Sequence, residues 1–275
     1  EQAAKWSKEI RNVRIDGGTI RFSNRIHPEF TSQTKTWCMR CVKSIIPVPA
    51  EIQIVGAPSR HVCPECGGAE IAEYNHVEEF AVEPGWPTVF VLDPHPRKPH
   101  MFLWAQITPY DDWRIIADGK ADEDPVATRV EVNRTEEQLG LRVVQRLTDP
   151  NMGSTSPGVK RGVTWQQEFR DAGLDLDLAD DSGVGRARVN TFLAPDPHTL
   201  RPRILIHPRC RDTIYQMQRY GWGDYSKNVD RDQKQEAKDT YSDYPTCLKY
   251  LANSEPSFRL LKDGAPVIPS RRARR

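Results

Sequence analysis

Twice in this sequence an apolar, β-prone run ends on Asp-Pro. In "WPTVFVLDP", Val89, Phe90, Val91 and Leu92 run into Asp93 and Pro94; in "RVVQRLTDP" the run ends at Asp149 and Pro150. Proline has no N–H to give to a β-ladder, so each strand must stop there. If the two strands are neighbours, both carboxylates project at one end of a sheet. Two acids that close repel each other, and a divalent cation relieves the repulsion. Mg²⁺ and Mn²⁺ prefer oxygen ligands, and a pair of such ions suits phosphodiester hydrolysis. The alternative reading is that Asp-Pro simply starts a turn.

The surrounding pattern supplies the sheet. "HMFLWAQIT" and "DWRIIADG" read as strands, with the turn-like "TPYDD" between them. "DPVATRVEVNRTEEQLGL" has helical spacing, with Val126, Val130 and Leu139 as apolar anchors. "VTWQQEFRDAG" is a helix capped by Thr164 and stopped at Gly173. "SGVGRARVNTFLA" is another helix, and "PRILIHP" a short strand. "CRDTIYQMQRYGW" is an amphipathic helix with Ile214, Met217 and Tyr220 or Gln218 on one face. "YSDYPTCLKYLAN" is a last short helix with Pro245 near its first turn. Three antiparallel strands followed by strands alternating with helices predict a mixed α/β sheet with helices on its faces. In such sheets the carboxyl ends of the strands line the working crevice. Cys210 and Cys247 read as core residues, and Trp104, Trp113, Trp165 and Trp222 as core rather than base-stacking platforms.

The chain has 275 residues, enough for one or two domains. Its 39 Lys+Arg balance 38 Asp+Glu, so net charge names no partner, although the tail "RRARR" is basic and reads as disordered. No window approaches 18 apolar residues, so no membrane span is expected. Residue 1 is Glu and no signal peptide shows, so the chain reads as a fragment of something longer.

Four of the six cysteines fall in two pairs, Cys38/Cys41 in "CMRC" and Cys63/Cys66 in "CPEC", with 21 residues between the pairs. Each pair can form a knuckle with both sulfurs on one ion, and four thiolates make the closed tetrahedral site of structural Zn²⁺. The gap is one residue above the usual ribbon window of about 15–20, which a hairpin tolerates. Disulfides or a redox pair are the alternatives. The β-prone "AEIQIVGA" lies between the pairs. Lys35, Arg40, Lys43, Arg60 and His61 could meet phosphates there, or could be an ordinary solvated face.

A third acid is available late in the chain, where Asp239 and Asp243 stand four residues apart, on one face if helical. Helix capping is the competing role. At this point the phrases "LDPHPRKPHMFLW", "RLTDPNMGSTSPGV", "WQQEFRDAGLDLDLADD", "GRARVNTFLA", "PRILIHPRCRDTIYQMQRYGW" and "DTYSDYPTCLKY", in this order, resemble the nuclease domain of the large terminases. These are the DNA-packaging motors of tailed phages. "IRFSNRIHPEF" and "NHVEEFAVEPGWPTVFVLD" resemble the segment that joins motor to nuclease. The resemblance covers roughly residues 15 to 30 and 75 to 252.

The resemblance implies an RNase H-like fold and a metal-dependent endonuclease that cuts concatemeric DNA with Mg²⁺ or Mn²⁺ held by carboxylates. It makes Asp93 the acid of the first strand, Asp149 the acid after the fourth, and Asp243 the third. The family's last phrase is of the type D-H-x-x-D-A-L-R-Y. Here Thr240 replaces the His, and "CLKY" comes three residues late. A second register would put Thr246 where the last acid belongs, and Asp243 is preferred over Asp239. The implied organisation is a lead-in segment or linker (1–30), an inserted zinc ribbon (31–75), the nuclease domain (76–255) and a basic tail (256–275). The implied partners are double-stranded DNA and the ATPase domain, portal and small terminase of a packaging motor, in the host cytoplasm. No G-x-x-x-x-G-K-[ST] phosphate loop occurs, so ATP hydrolysis is not expected of this chain. Arg97 and Lys98 are placed to approach the DNA backbone. His95 and His100 lie near the acids, as DNA contacts or turn caps rather than ligands. The rival readings are another RNase H-like enzyme of resolvase or transposase type, and a non-catalytic zinc-containing DNA-binding module.

Overall fold

The structure is a computed structural model that describes residues 25–49, 61–122, 124–155, 162–222, 237 and 239–259. The segment "AEIQIVGA", Arg60 and residues 260–275 of the basic tail lie outside the described residues.

A six-stranded mixed sheet forms the centre. Strand β6 (Pro87–Asp93) pairs antiparallel with β7 (His100–Ile107), which pairs antiparallel with β8 (Trp113–Ala121). On the other side β6 pairs parallel with β9 (Arg142–Thr148), and β9 with the short β10 (Asp177–Leu178). The far edge is β11 (Ile204–Ile206), parallel to β8. The order is therefore β10-β9-β6-β7-β8-β11. The expected antiparallel trio is present, and the two Asp-Pro strands are neighbours.

Side chains alternate across a strand, and both faces of β6 are covered. Val89 and Val91 face a core shared with helix α4 (Val184–Leu193), α5 (Arg211–Met217) and α6 (Asp243–Asn253). Phe90 and Leu92 face the opposite core, with Phe102, Trp104, Val132 and Phe169. Two buried faces explain why "VFVL" is an unbroken apolar run. The same alternation turns Asp93 toward the α6 side. Gly185 allows α4 and α6 to touch: a Cβ there would sit 2.6 Å from the Lys249 carbonyl oxygen.

Helix α1 (Pro125–Leu139) is capped by Asp124, whose carboxylate accepts from the Val126 and Ala127 amides. Its buried residues are Thr128 and Val132, whereas Val126 and Val130 are 58% and 62% exposed. The expected anchors are thus corrected, apart from Leu139, which packs against the core. The reason is polar. Glu136, one turn beyond Val132, accepts from the Trp104 indole at 3.0 Å and from both terminal nitrogens of Arg146, and this fixes the inward face. Helix α2 (Pro150–Ser154) follows β9 directly. Helix α3 (Trp165–Asp171) is capped by Thr164 and ends before Gly173 at φ 85°, as expected. Cys210, Cys247, Trp104, Trp113 and Trp165 are all buried. Trp222 is half-buried, with Arg186 over its ring.

A three-stranded antiparallel sheet, β2 (Lys43–Ile45), β1 (Lys35–Cys38) and β5 (Ile71–Tyr74), carries the cysteine pairs, beside a small β3 (Val48–Pro49) and β4 (His61–Val62) ladder. Flanking it, Phe30 is wholly buried in the main core. The His76 ring bonds the Leu193 carbonyl at 2.8 Å and accepts from the Thr31 amide at 3.1 Å.

Candidate metal centre at the end of the sheet

Asp93 is the last residue of β6 and is 6% exposed. Asp149 follows β9 immediately, and its amide donates to the Leu92 carbonyl at 3.3 Å, so the two acids stand side by side. Asp243 arrives from elsewhere, as the first residue of α6. Proline is tolerated at Pro245 because a helix's first turn has no carbonyl to bond. The Tyr244 amide, orphaned for the same reason, donates to the Gln216 side-chain oxygen at 3.0 Å. The Gln216 side-chain amide then donates to Asp243 Oδ2 at 2.8 Å.

Asp243 does not cap its own helix. Its Oδ1 instead faces His95 Nε2 at 3.0 Å and accepts from Lys98 Nζ. Asp149 does cap: its Oδ1 accepts from the Asn151 and Met152 amides at 2.6 and 2.8 Å, and its Oδ2 accepts from the Tyr250 hydroxyl. At Asp149, then, Asp-Pro starts a turn as well as ending a strand.

The charges show how crowded the site is. Burial raises the Asp93 pKa, and the Asp149 and Asp243 charges add to the rise. Burial acts on Asp243 in the same sense, but the close approach of His95, Lys98 and Gln216 outweighs it and holds this carboxyl well below the usual range. Burial disfavours the His95 cation, yet Asp243 and Asp93 push its pKa up to about 9. The Cys247 thiol, one turn into α6, is pushed well up by burial and then by the charges of Asp93, Asp243 and Asp149.

Asp93, His95 and Asp243 each offer one ligand atom, and the three atoms lie within 4.8 Å of one another. Asp149 is adjacent but outside that group. Asp239 is exposed and Thr246 half-buried, and neither joins it. His95, read from sequence as a contact or cap, sits inside the group; the signal that could have found it is its place two residues past the strand-end acid. His100 is a turn cap: its Nδ1 accepts from the His95 amide at 3.0 Å, and its ring packs on Trp165 and Phe169.

The four knuckle cysteines make a second group within the same 4.8 Å limit. Cys38 and Cys66 sulfurs are 3.6 Å apart, and Cys41 and Cys63 sulfurs 3.8 Å. Four sulfurs around one Zn²⁺ at about 2.3 Å stand about 3.8 Å apart, whereas a disulfide needs about 2.0 Å. The residues therefore fit a tetrahedral ion. Gly67, at φ 65°, closes the second knuckle by donating to the Cys63 carbonyl at 2.9 Å. Hydrogen bonding to Cys66, then burial, pushes the Cys41 thiol up to about 12. Burial opposes ionisation of Cys63, but the Cys66 and Glu65 amides outweigh it and lower it to about 7. Of the basic residues, Lys43 pairs with Glu65, while Arg40 and His61 are exposed.

Among solved structures, the large terminase of a thermophilic bacteriophage superposes on 65% of this chain, with a TM-score of 0.51 and 14% identity. The fold is that of a phage large terminase. Its six-stranded mixed sheet flanked by helices is the expected RNase H-like architecture. The chain spans 41% of the length of that terminase. The P22 large terminase nuclease domain matches 70% of this chain and 92% of its own length, at 13% identity and TM-score 0.48. The large terminase nuclease of thermophilic phage G20c with bound cobalt matches 84% and 97%, at 8% identity and TM-score 0.44. No family model matches the sequence, and no curated protein does.

Proposed function

We propose that the chain is a divalent-metal-dependent DNA endonuclease, the nuclease part of a large terminase, and that it cuts concatemeric viral DNA during packaging in the host cytoplasm. The observation that carries this reading is the convergence of Asp93 and Asp243, from a strand end and a helix start, beside Asp149 on the neighbouring strand. The terminase fold supports it.

Asp93, Asp149 and Asp243 are the proposed ligands of two Mg²⁺ or Mn²⁺ ions. Such ions, when bound, make water a stronger nucleophile and stabilise the leaving oxygen of a phosphodiester. The chain's own part is positional. β6 and β9 fix Asp93 and Asp149 in register, and Gln216 holds the Asp243 carboxylate at the start of α6. Arg97 and Lys98, exposed in the turn after β6, would meet DNA phosphates at the site's mouth. Cys38, Cys41, Cys63 and Cys66 would hold a structural Zn²⁺, and four thiolates leave no open position for catalysis. In domain terms, residues 31–75 are the zinc ribbon and 76–255 the nuclease, with 1–30 as linker and 256–275 as basic tail. The partners would be double-stranded DNA and the ATPase domain, portal and small terminase of a packaging motor. Among the described residues no helix is long and apolar enough to cross a membrane.

The test is plasmid cleavage with Mn²⁺, Mg²⁺ or EDTA, using Asp93→Ala and Asp149→Asn as controls. The expected result is linear product that requires metal and disappears in both variants. Silence from the wild-type chain with every metal, while DNA is still bound, would instead favour a zinc-containing DNA-binding module. A preference for branched DNA would favour a resolvase.

A further inference from the structure

We infer that His95 is itself a metal ligand, completing with Asp93 and Asp243 a mixed carboxylate–imidazole set that favours a first-row transition ion over Mg²⁺. This rests on reading the strand-end acids as a metal centre, and it changes which ion that centre selects.

The geometry comes first. His95 Nε2 is buried, 3.4 Å from Asp93 Oδ2 and 3.0 Å from Asp243 Oδ1, so that it faces both carboxylates at once. A ring nitrogen that faces two carboxylate oxygens is placed, once a cation displaces its proton, as a third donor to a point between them. The Asp149 carboxylate accepts from two amides and from Tyr250 and lies outside the 4.8 Å group that Asp93, His95 and Asp243 form. An ion beside β6 therefore meets Asp93, Asp243 and His95 together.

The ring is also held in place from behind. His95 lies between Pro94 and Pro96, which restrict the backbone on both sides. Its amide is tied to His100 Nδ1, and His100 is wholly buried against Trp165 and Phe169. A ligand on so fixed a turn loses little freedom on binding. Lys98 shares Asp243 Oδ1 with His95, but its side chain is 45% exposed and has solvent to move into when a cation arrives.

The ligand chemistry sets the selectivity. Mg²⁺ takes oxygen ligands and keeps its waters, whereas imidazole binds first-row transition ions well. Of these, Mn²⁺ shares the taste of Mg²⁺ for carboxylate, so two carboxylates and one imidazole suit it.

The experiment is pulsed EPR of Mn²⁺ bound to the full chain with its ribbon loaded with zinc. The expected spectrum contains a ¹⁴N coupling that becomes a ¹⁵N coupling when histidine is ¹⁵N-labelled and is lost in His95→Gln. In that variant Mn²⁺ affinity should fall roughly tenfold or more, since even partners behind the ligands cost that much. Competing Mg²⁺ affinity should change less than about threefold. Bound Mn²⁺ with no ¹⁴N coupling in the wild type overturns the assignment, and this spectrum needs no variant to fold. Asp93→Ala separates the two readings. If it abolishes Mn²⁺ binding while nitrogen coupling is absent, the carboxylate centre stands and His95 fails. If Asp93→Ala binds Mn²⁺ like the wild type, the metal centre itself falls, and His95 with it.

Discussion

Gln216 has no charge and touches no proposed substrate, yet it ties the candidate site together. Its side chain donates to Asp243 Oδ2 and accepts the Tyr244 amide, so it aligns the helix start and the acid at once. Removing it leaves a buried carboxylate oxygen and a buried amide without partners, and such losses behind a metal ligand cost about 10–100-fold in affinity or activity. Gln216→Ala is therefore expected to reduce metal-dependent cleavage by that factor, and Gln216→Glu to reduce it further by adding a like charge. Unchanged cleavage in Gln216→Ala would show that α6 alone places Asp243. At this scale the strand-end acids were legible, because Asp-Pro after an apolar run is a local signal. Gln216 was not, since its partner lies 27 residues further along the chain. His95 was only half legible: its neighbourhood was readable but its orientation was not.

The elements were legible wherever one face decided them. The β6–β7–β8 trio, the Thr164 cap and the Gly173 stop follow from local patterns. The inward face of α1 did not, because the helix carries two candidate stripes, and the choice was made by a polar contact from β7 and β9 to Glu136. Strand β10, only two residues long, carries too little pattern to be seen. The α1 correction can be checked by stability. Val132→Ala should cost about 1–3 kcal/mol by urea denaturation, as a core truncation does. Val130→Ala should fall within about 0.5 kcal/mol of wild type, as a surface change does. The reverse order would restore the stripe read from sequence.

For the whole molecule, two buried imidazoles join distant parts of the chain. His27 bonds Asn190, and His76 bonds Thr31 and Leu193. Burial pushes both down to about 4 from 6.5, outweighing their hydrogen bonds. Between those values the unfolded chain binds more protons than the folded one. Their contribution is thus fully present above about pH 6.5 and is lost as pH falls toward 4, by roughly 3 kcal/mol each. The raised carboxyls of Asp93 and Asp118 act in the opposite sense. The useful measurement is therefore the difference in urea stability between wild type and His76→Gln from pH 8 to 4, in which those carboxyls cancel. That difference should shrink on acidification, and a constant difference would remove His76 from the account. His76 also has a geometric role. Its amide donates to the Thr31 carbonyl at 3.1 Å, and its ring accepts the Thr31 amide at the same distance, so the chain leaves and re-enters the main core at one point. The cysteine-bearing segment is thus a detachable cassette, whose removal at that point would not require the sheet to be re-threaded. Joining Thr31 to His76 through a short glycine linker should then give a chain that keeps the circular dichroism of the sheet and binds no zinc.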